Sequence, residues 1–454
     1  MTEMATSMDL RMEITRRHIV KLALPISAAI LVPQINYITN NLFLSQLGKE
    51  ELGAAGITGV FYLIFGAIGY GLNNGLQALI ARRAGENQPE KIGDLFTQGV
   101  QIALAISAIG IFITLFFSPY IFNNVLEHSE NTERVISFLK IRIWGLPFLY
   151  IYQMRNALLV GTNQSRFLII GTLAETLTNI ILDYGLIFGN LGLPALGFNG
   201  AAYASVIAEA IGMLVVLGVI RWKGFSKRFH FKGNYTFNPA TSKLVFLQSL
   251  PLIFQYGISI VSWEFFFILV ERNQHTPYDL ALSNMMRNIF GFFGVFTWAF
   301  AATCSTMVSN VIGQKRHGEV FRLIGLITQI SSGIAVVVAI ILNIFPEQVI
   351  SIFGSEPGFI AAGIPVLRIV SIAMIFTSFA VIWLNAVTGT GNTRVTLAIE
   401  IFAVTLYNVY VFAIMEKMNL SIVWGWGSEL IYWTAMFIPS FWYMRSGRWK
   451  NKVI

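Results

Sequence analysis

Gly161-Thr162-Asn163-Gln164-Ser165-Arg166, followed by Thr176-Leu177-Thr178-Asn179, returns later in the chain as Gly389-Thr390-Gly391-Asn392-Thr393-Arg394, followed by Thr405-Leu406-Tyr407-Asn408. The offset is 228 for the first stretch and 229 for the second. Pro25 in Leu24-Pro25-Ile26 answers Pro251 in Leu250-Pro251-Leu252 at an offset of 226, and Gly85 answers Gly313 at 228. A nearly constant offset over the whole length means two homologous halves, and in a membrane chain two such halves usually frame a central pathway.

The composition places the chain in a membrane. It is 55% hydrophobic and 12% charged, with 37 Phe and 10 Trp, too apolar to hide its nonpolar surface inside a soluble fold. Stretches long enough to cross about 30 Å of hydrocarbon lie near residues 20–44, 53–81, 97–122, 135–159, 167–190, 200–220, 245–270, 280–312, 321–345, 359–387, 395–415 and 420–444. The spacing predicts an all-α integral membrane protein of twelve transmembrane helices in two six-helix lobes. The first span is too long for a signal-peptide core and is expected to be retained. Cys304 is the one cysteine, so no intrachain disulfide is possible, and it reads as a small packing residue.

Charge sets the expected orientation. Of 31 Lys and Arg, the N-terminal tail, the even-numbered loops and the C-terminus hold 20, whereas the opposite loops hold four, Lys49, Arg134, Arg272 and Lys417. The positive-inside rule then places both termini in the cytoplasm, with the chain in the cytoplasmic (inner) membrane. The expected segments are a tail at 1–19, an N-lobe at 20–220, a basic linker at 221–244, a C-lobe at 245–444 and a tail at 445–454. The net charge of +8 needs no nucleic-acid partner. Its densest cluster, Arg221, Lys223, Lys227, Arg228, Lys232 and Lys243, reads first as a topology determinant touching anionic lipid headgroups, with a regulatory basic site as the second reading. Six spans per half is an even number, so the halves are parallel repeats about an axis along the membrane normal.

Ionisable groups inside hydrocarbon cost about 2.5–3.5 kcal/mol even on insertion scales, so each calls for a reason. Glu175, Asn179 and Asp183 follow one another at i, i+4 and i+8 in the fifth span, along one face within about 80° of arc. Such a stripe is either a hydrogen-bonded packing cluster or a proton or sodium site. Asn408 keeps the amide in the second half, but Phe412 replaces the acid, so a cation coupled through this face acts in the N-terminal half. Ser205 and Glu209 lie one turn apart in the sixth span, after the small residues Gly200-Ala201-Ala202 that permit close helix approach. In the first span Pro25 and Pro33 are expected to bend or soften the helix. The polar run Asn36, Thr39, Asn40 and Asn41 beyond them reads either as interhelical hydrogen bonding or as cavity lining. Glu264 in the seventh span and Arg287 in the eighth are a structural bridge, or Glu264 is a cavity carboxylate for cationic compounds. Lys140, Arg142 and Arg368 sit near span ends and read as snorkelling anchors.

Asn179-x-x-x-Asp183, Ile187-Phe188-Gly189 and the run Leu196-Gly197-Phe198-Asn199-Gly200-Ala201-Ala202-Tyr203-Ala204-Ser205 resemble the fifth-to-sixth helix signature of MATE (multidrug and toxic compound extrusion) transporters. Leu139-Lys140-Ile141-Arg142-Ile143-Trp144-Gly145-Leu146-Pro147, with Val206-Ile207-Ala208-Glu209, resembles the DinF-type branch of that family. The likeness spans the chain, including Leu47-Gly48, Leu52-Gly53-Ala54-Ala55 and Gly313. It implies a two-lobed secondary antiporter that exports amphipathic, often cationic small molecules in exchange for protons or sodium, with no other cofactor. The family's N-lobe cation site, a first-helix Asp, an Asn and an Asp on the fifth helix and a hydroxyl on the sixth, maps here onto Asn40, Asn179, Asp183 and Ser205. Asn40 departs from the pattern: its amide oxygen can ligate sodium, but it takes up no proton. Asp183 is left as the main titratable group, with Glu175 auxiliary, and any bound sodium would be held by Asp183, Asn179 and Asn40. Glu264 falls where some members carry a seventh-helix carboxylate.

The alternative within the wider superfamily is a lipid-linked oligosaccharide flippase, disfavoured by the acidic or neutral cavity candidates and the count of twelve spans. A membrane-embedded enzyme or receptor has no motif behind it: the five His are scattered, and no nucleophile motif or phosphate-binding Gly loop is present. A two-lobed chain needs no partner beyond the lipid bilayer to build its pathway, so a monomer is expected.

Overall fold

A computed structural model describes residues 10–126, 129–231, 236–452 and 454; residues 1–9 of the N-terminal tail and Lys232 of the basic linker lie outside these. Among the described residues there is no strand, and eleven helices are long and apolar enough to cross a membrane. They are α1 (Arg16–Ser45), α2 (Lys49–Gly85), α3 (Pro89–Val125), α4, α5 (Leu168–Phe188), α6 (Phe198–Trp222), α7 (Pro239–Arg272), α8 (Asp279–Gly313), α9 (Val320–Ile344), α10 (Pro357–Gly389) and α11 (Thr393–Val411). Helix α4 comes in two pieces, Ser129–Arg142 and Leu146–Gly161, joined by a 3₁₀ turn at Ile143–Gly145 ahead of Pro147. The twelfth, α12 (Ser428–Arg445), follows a single turn at Ile422–Trp426 and carries Glu429, Tyr432, Trp433, Trp442 and Tyr443, which lower its hydropathy.

Several helices, α2 and α3 among them, overrun the predicted spans at polar ends, whereas α5 stays within its span. Helix α2 begins with Glu50 and Glu51 and finishes with Arg82 and Arg83. Acids at an N-terminus and bases at a C-terminus favour the helix dipole, while hydropathy alone leaves both outside the span. Helix α1 continues through Pro25 and Pro33 without a break.

The sequence repeat has a backbone counterpart. Asn87 and Lys315, related by the same offset as the repeated Gly-Thr stretch, both take a left-handed conformation, with φ of 56° and 63°. Asn163 and Gly391, a second pair at that offset, do the same at 63° and 89°. Gly161 and Gly389 mark close approaches of α4 to α2 and of α10 to α8. A Cβ on Gly161 would lie 3.1 Å from the Gln77 carbonyl oxygen, and one on Gly389 would lie 2.4 Å from that of Ser305. Gln77 and Ser305 are themselves repeat equivalents, at the offset that relates the two glycines. The repeated glycines are therefore crossing points at which a side chain has no room.

By contacts the chain divides into two compact units. Unit 1 takes in Ala28–Ile253, and unit 2 takes in Met12–Ser27 and Phe254–Ile454. The division falls inside two helices, just beyond Pro25 in α1 and just beyond Pro251 in α7. In unit 2 the extended segment before α1 is pinned to α8: the Met12 N–H donates to Asn310 Oδ1 at 2.9 Å and Gln314 Nε2 donates to the Met12 carbonyl at 3.1 Å. In unit 1 the linker is docked on α3. Phe225 and Phe229 are fully buried, and Asp94 and Gln98 accept from Thr241, Asn238 and Ser242.

Candidate functional site in unit 1

Helices α1, α5 and α6 bring four of the expected residues together. Asp183 is 0% exposed and Asn179 2%. In the amide orientation that satisfies its neighbours, Asn179 Nδ2 donates to Asn36 Oδ1 at 2.8 Å and to Asp183 Oδ2 at 3.3 Å. Its Oδ1 accepts from the Ser205 backbone N–H at 3.2 Å. Helix α6 reaches this point because Gly200 lets its backbone lie against the Leu186 carbonyl, which a Cβ there would approach to 2.4 Å.

Asn40 follows from register. Odd-numbered spans run in the same sense, and the contacts of α1 with α5 advance in parallel: Asn36 meets Asn179, and further along Phe43 packs on Tyr184 and Phe188, with ring centroids 6.3 and 5.9 Å apart. One turn beyond the Asn36–Asn179 contact stand Asn40 on α1 and Asp183 on α5. Asn40 Oδ1 and Asp183 Oδ1 are both buried without a hydrogen-bond partner. A buried oxygen left unpaired costs about 1–3 kcal/mol, so each of the two is an acceptor with its hydrogen bonding unmet. The atoms left there are amide and carboxylate oxygens, and Asp183 is the one acid among them.

The other expected residues lie apart. Glu175 is half-buried and packs on α6 at Gly212, where a Cβ would sit 2.9 Å from that of Glu175; it makes no hydrogen bond to Asn179 or Asp183. Asn41 is half-buried, and Pro33 is exposed. In unit 2, Glu264 and Arg287 are both exposed and form no ion pair; the Arg287 guanidinium lies over the Phe267 ring, 4.8 Å from its centroid. Arg287 thus stacks on Phe267, three residues along α7 from Glu264, instead of pairing with Glu264, which removes the bridge reading.

Arg142 corrects the anchoring reading. It points inward, 14% exposed, and grips Glu209 of α6 with two hydrogen bonds, Nη1 to Oε2 at 2.9 Å and Nη2 to Oε1 at 2.5 Å. Nη1 also donates to the Tyr62 hydroxyl at 2.9 Å, and the guanidinium lies 3.9 Å from the Tyr62 ring centroid. The 3₁₀ turn directly after Arg142 allows this geometry: a Cβ on Gly145 would fall 2.2 Å from Glu209 Oε2. Lys140 and Arg368 are exposed, as snorkelling residues are.

Besides Asp279 at the start of α8, unit 2 buries two acids that hydropathy and spacing did not single out. Glu400 on α11 is 1% exposed and accepts from Gln255 Nε2 at 3.2 Å, from Ser259 Oγ at 2.7 Å and from the Tyr432 hydroxyl. Glu429 on α12 is 2% exposed and accepts from Trp433 Nε1 at 2.9 Å. An acid inside an apolar span, the signal that singled out Asp183, was present at both positions.

Comparison with known proteins agrees with this architecture. The MatE family model matches residues 25–185 and 251–414, two segments that open at Pro25 and Pro251. A relative from Thermotoga maritima named "Probable multidrug resistance protein NorM" is 22% identical over 97% of this chain and 94% of its own. One of the same name from Synechocystis sp. is 28% identical over 76% of this chain and 75% of its own. Among solved structures, an outward-facing multidrug resistance MATE family transporter matches 99% of this chain and all of its own, with a TM-score of 0.86 at 18% identity. A MOP superfamily transporter from Pyrococcus furiosus matches 98% of this chain and all of its own, with a TM-score of 0.87 at 18% identity. With a family model covering both halves of an all-helical membrane fold, the chain belongs to the MatE family of multidrug and toxic compound extrusion transporters.

Proposed function

We propose that this chain is a secondary active exporter of amphipathic, often cationic organic compounds, working by alternating access in antiport with protons or sodium. It acts as a monomer in the cytoplasmic membrane with both termini in the cytoplasm, in two lobes of six helices, and we retain the DinF-type branch as part of the reading. The single observation that carries it is the pair of unpartnered buried oxygens, on Asn40 and Asp183, one turn beyond the Asn36–Asn179 hydrogen bond. A cation there is held by Asp183, Asn179 and Asn40, with Ser205 against Asn179. Its binding free energy must differ between the outward and inward states, because a ligand shifts an equilibrium only by its differential affinity. Helix α1 carries both Asn36 and Asn40 beyond Pro33, so a change of bend at Pro25 or Pro33 moves one of the cation's three ligands, Asn40, and the Asn36 hydrogen bond relative to α5. The multidrug-resistance names of the curated relatives support export and do not favour the oligosaccharide flippase.

The test is uptake of a fluorescent cationic dye into everted vesicles, scanned over pH with and without a sodium gradient. Asp183→Asn is expected to abolish gradient-dependent uptake, and the gradient that drives the wild type identifies the coupling ion. Uptake by the variant at the wild-type rate would move the coupling site elsewhere.

A further inference from the structure

Arg155, on the second piece of α4, is 7% exposed and forms no ion pair among the described residues. Its Nη1 donates to the Met213 carbonyl of α6, and the charge that acts on it is the like charge of Arg221 at the end of that helix. Unit 2 makes the corresponding crossing without a charge. Trp383 on α10 answers Arg155 at the offset that relates Gly161 to Gly389. It packs on Phe437 and Phe441 of α12, with ring centroids 6.0 and 5.0 Å apart. The fold therefore does not require a cation at this place, and a positive charge inside a span is costly enough to call for a reason.

More positive charge gathers where α4, α5 and α6 meet the linker. The Arg166 guanidinium lies 4.8 Å from the centroid of the Phe167 ring, at the start of α5. Lys223 Nζ, just past the end of α6, lies 5.3 Å from the same centroid and 3.9 Å from that of Trp222. Aromatic faces hold a cation in place without neutralising it. Among the described residues, Arg166, Arg221 and Lys223 form no ion pair, and Arg166 donates only to Gln164 Oε1, at 3.5 Å. The Trp222 side chain beside them is 74% exposed, and tryptophan is the residue type that settles at the boundary of hydrocarbon and water. Like charges held together repel one another, and an anion among them reverses the sign of the interaction. Guanidinium groups match phosphate in geometry as well as in charge.

We infer that the junction of α4, α5 and α6 binds the headgroup phosphate of one anionic phospholipid: Arg166, Arg221 and Lys223 hold it, and Arg155 supplies buried positive charge beneath them. A zwitterionic headgroup brings an ammonium of its own, which this group of cations repels, so the site selects a headgroup of net negative charge. In the orientation proposed above, the lipid belongs to the cytoplasmic leaflet. The site is narrower than the basic linker as a whole: Lys227 and Lys243 are exposed, lie on no aromatic ring and take no part in it.

A ligand that binds the folded protein raises its melting temperature, which supplies the readout. The purified full-length protein is melted in non-ionic detergent while phosphatidylglycerol, phosphatidylcholine or inorganic phosphate is titrated in. Phosphatidylglycerol is expected to raise the midpoint saturably, and the other two to leave it unchanged. The double variant Arg221→Gln with Lys223→Gln is expected to need about tenfold more phosphatidylglycerol for half of the rise. Lys227→Gln with Lys243→Gln removes the same charge from the linker and is expected to behave as wild type. Arg155→Met, apolar as unit 2 is at this crossing, is expected to stay folded and to bind more weakly. Equal rises with phosphatidylcholine, or equal losses in the two double variants, would overturn the site in favour of a diffuse surface effect. A rise with inorganic phosphate would overturn the lipid as its ligand, and an Arg155→Met variant with wild-type binding would overturn the part given to Arg155.

Discussion

Asn36 and Asn40 are one turn apart on α1, as Asn179 and Asp183 are on α5, and the contact at one level places the other pair side by side. An amide opposite a carboxylate can share a sodium ion, but it leaves one exchangeable proton at this level where two acids would hold more. Asn40→Asp is accordingly expected to steepen the pH dependence of export in everted vesicles, because a second acid beside Asp183 adds a protonation step. An unchanged pH profile would show that position 40 does not adjoin the site. Asp183 and its amide partner were legible as a polar stripe. That Asn36 supplies the hydrogen bond was not, because the polar run at the end of α1 spreads around the helix and offers several candidates.

Helix pairs are joined by two different devices. The buried Arg142–Glu209 pair ties α4 to α6, its side chains 14% and 6% exposed. Removing one partner of such a pair leaves an uncompensated buried charge, so Arg142→Ala is expected to cost about 3–5 kcal/mol. Replacing both, Arg142→Met with Glu209→Leu, is expected to recover most of that loss, and thermal unfolding in detergent of the single and double variants measures it. A double variant as unstable as the single one would mean the pair is more than a packed ion pair. Glycine crossings are the second device. Gly389→Ala is expected to destabilise by about 1–3 kcal/mol, because its Cβ would meet the backbone carbonyl of Ser305, which cannot turn aside. Gly161→Ala is expected to cost less, since the nearest atom, 2.7 Å away, belongs to the Ile80 side chain. Equal unfolding midpoints for the two alanine variants would refute this distinction.

Over the full chain, the two units exchange helix ends: α1 and α7 each pass from one unit to the other shortly after a proline, at positions the repeat makes equivalent. Twofold repetition in sequence thus extends to where the chain changes unit. The charge asymmetry of the loops predicts the orientation, and single cysteines test it. Cys304 is fully buried, so the native protein is expected to resist a membrane-impermeant maleimide. Gln274→Cys, in the exposed α7–α8 loop, is expected to label in intact cells, and Lys450→Cys, exposed near the C-terminus, only after lysis. The reverse pattern would invert the assigned topology.

Fold class, the count of twelve spans and the internal repeat were all readable along one dimension, because hydropathy and offset are properties of the chain order alone. The crossing glycines and left-handed residues at matching offsets show that the repeat was specific enough to carry backbone geometry. Packing decided everything that depends on the rotation of a helix about its axis. Hydropathy gives Arg142 a depth near a span end, yet the azimuth that turns it onto Glu209 comes from the 3₁₀ turn and Gly145. Glu264 and Arg287 carry opposite charges on successive helices, and packing leaves both exposed, with Arg287 stacked on Phe267. Glu400 and Glu429 stand on different helices and become neighbours of one hydroxyl cluster only when α7, α11 and α12 pack together. A helix face becomes an interior or an exterior only through its neighbours, and no single helix's sequence contains them.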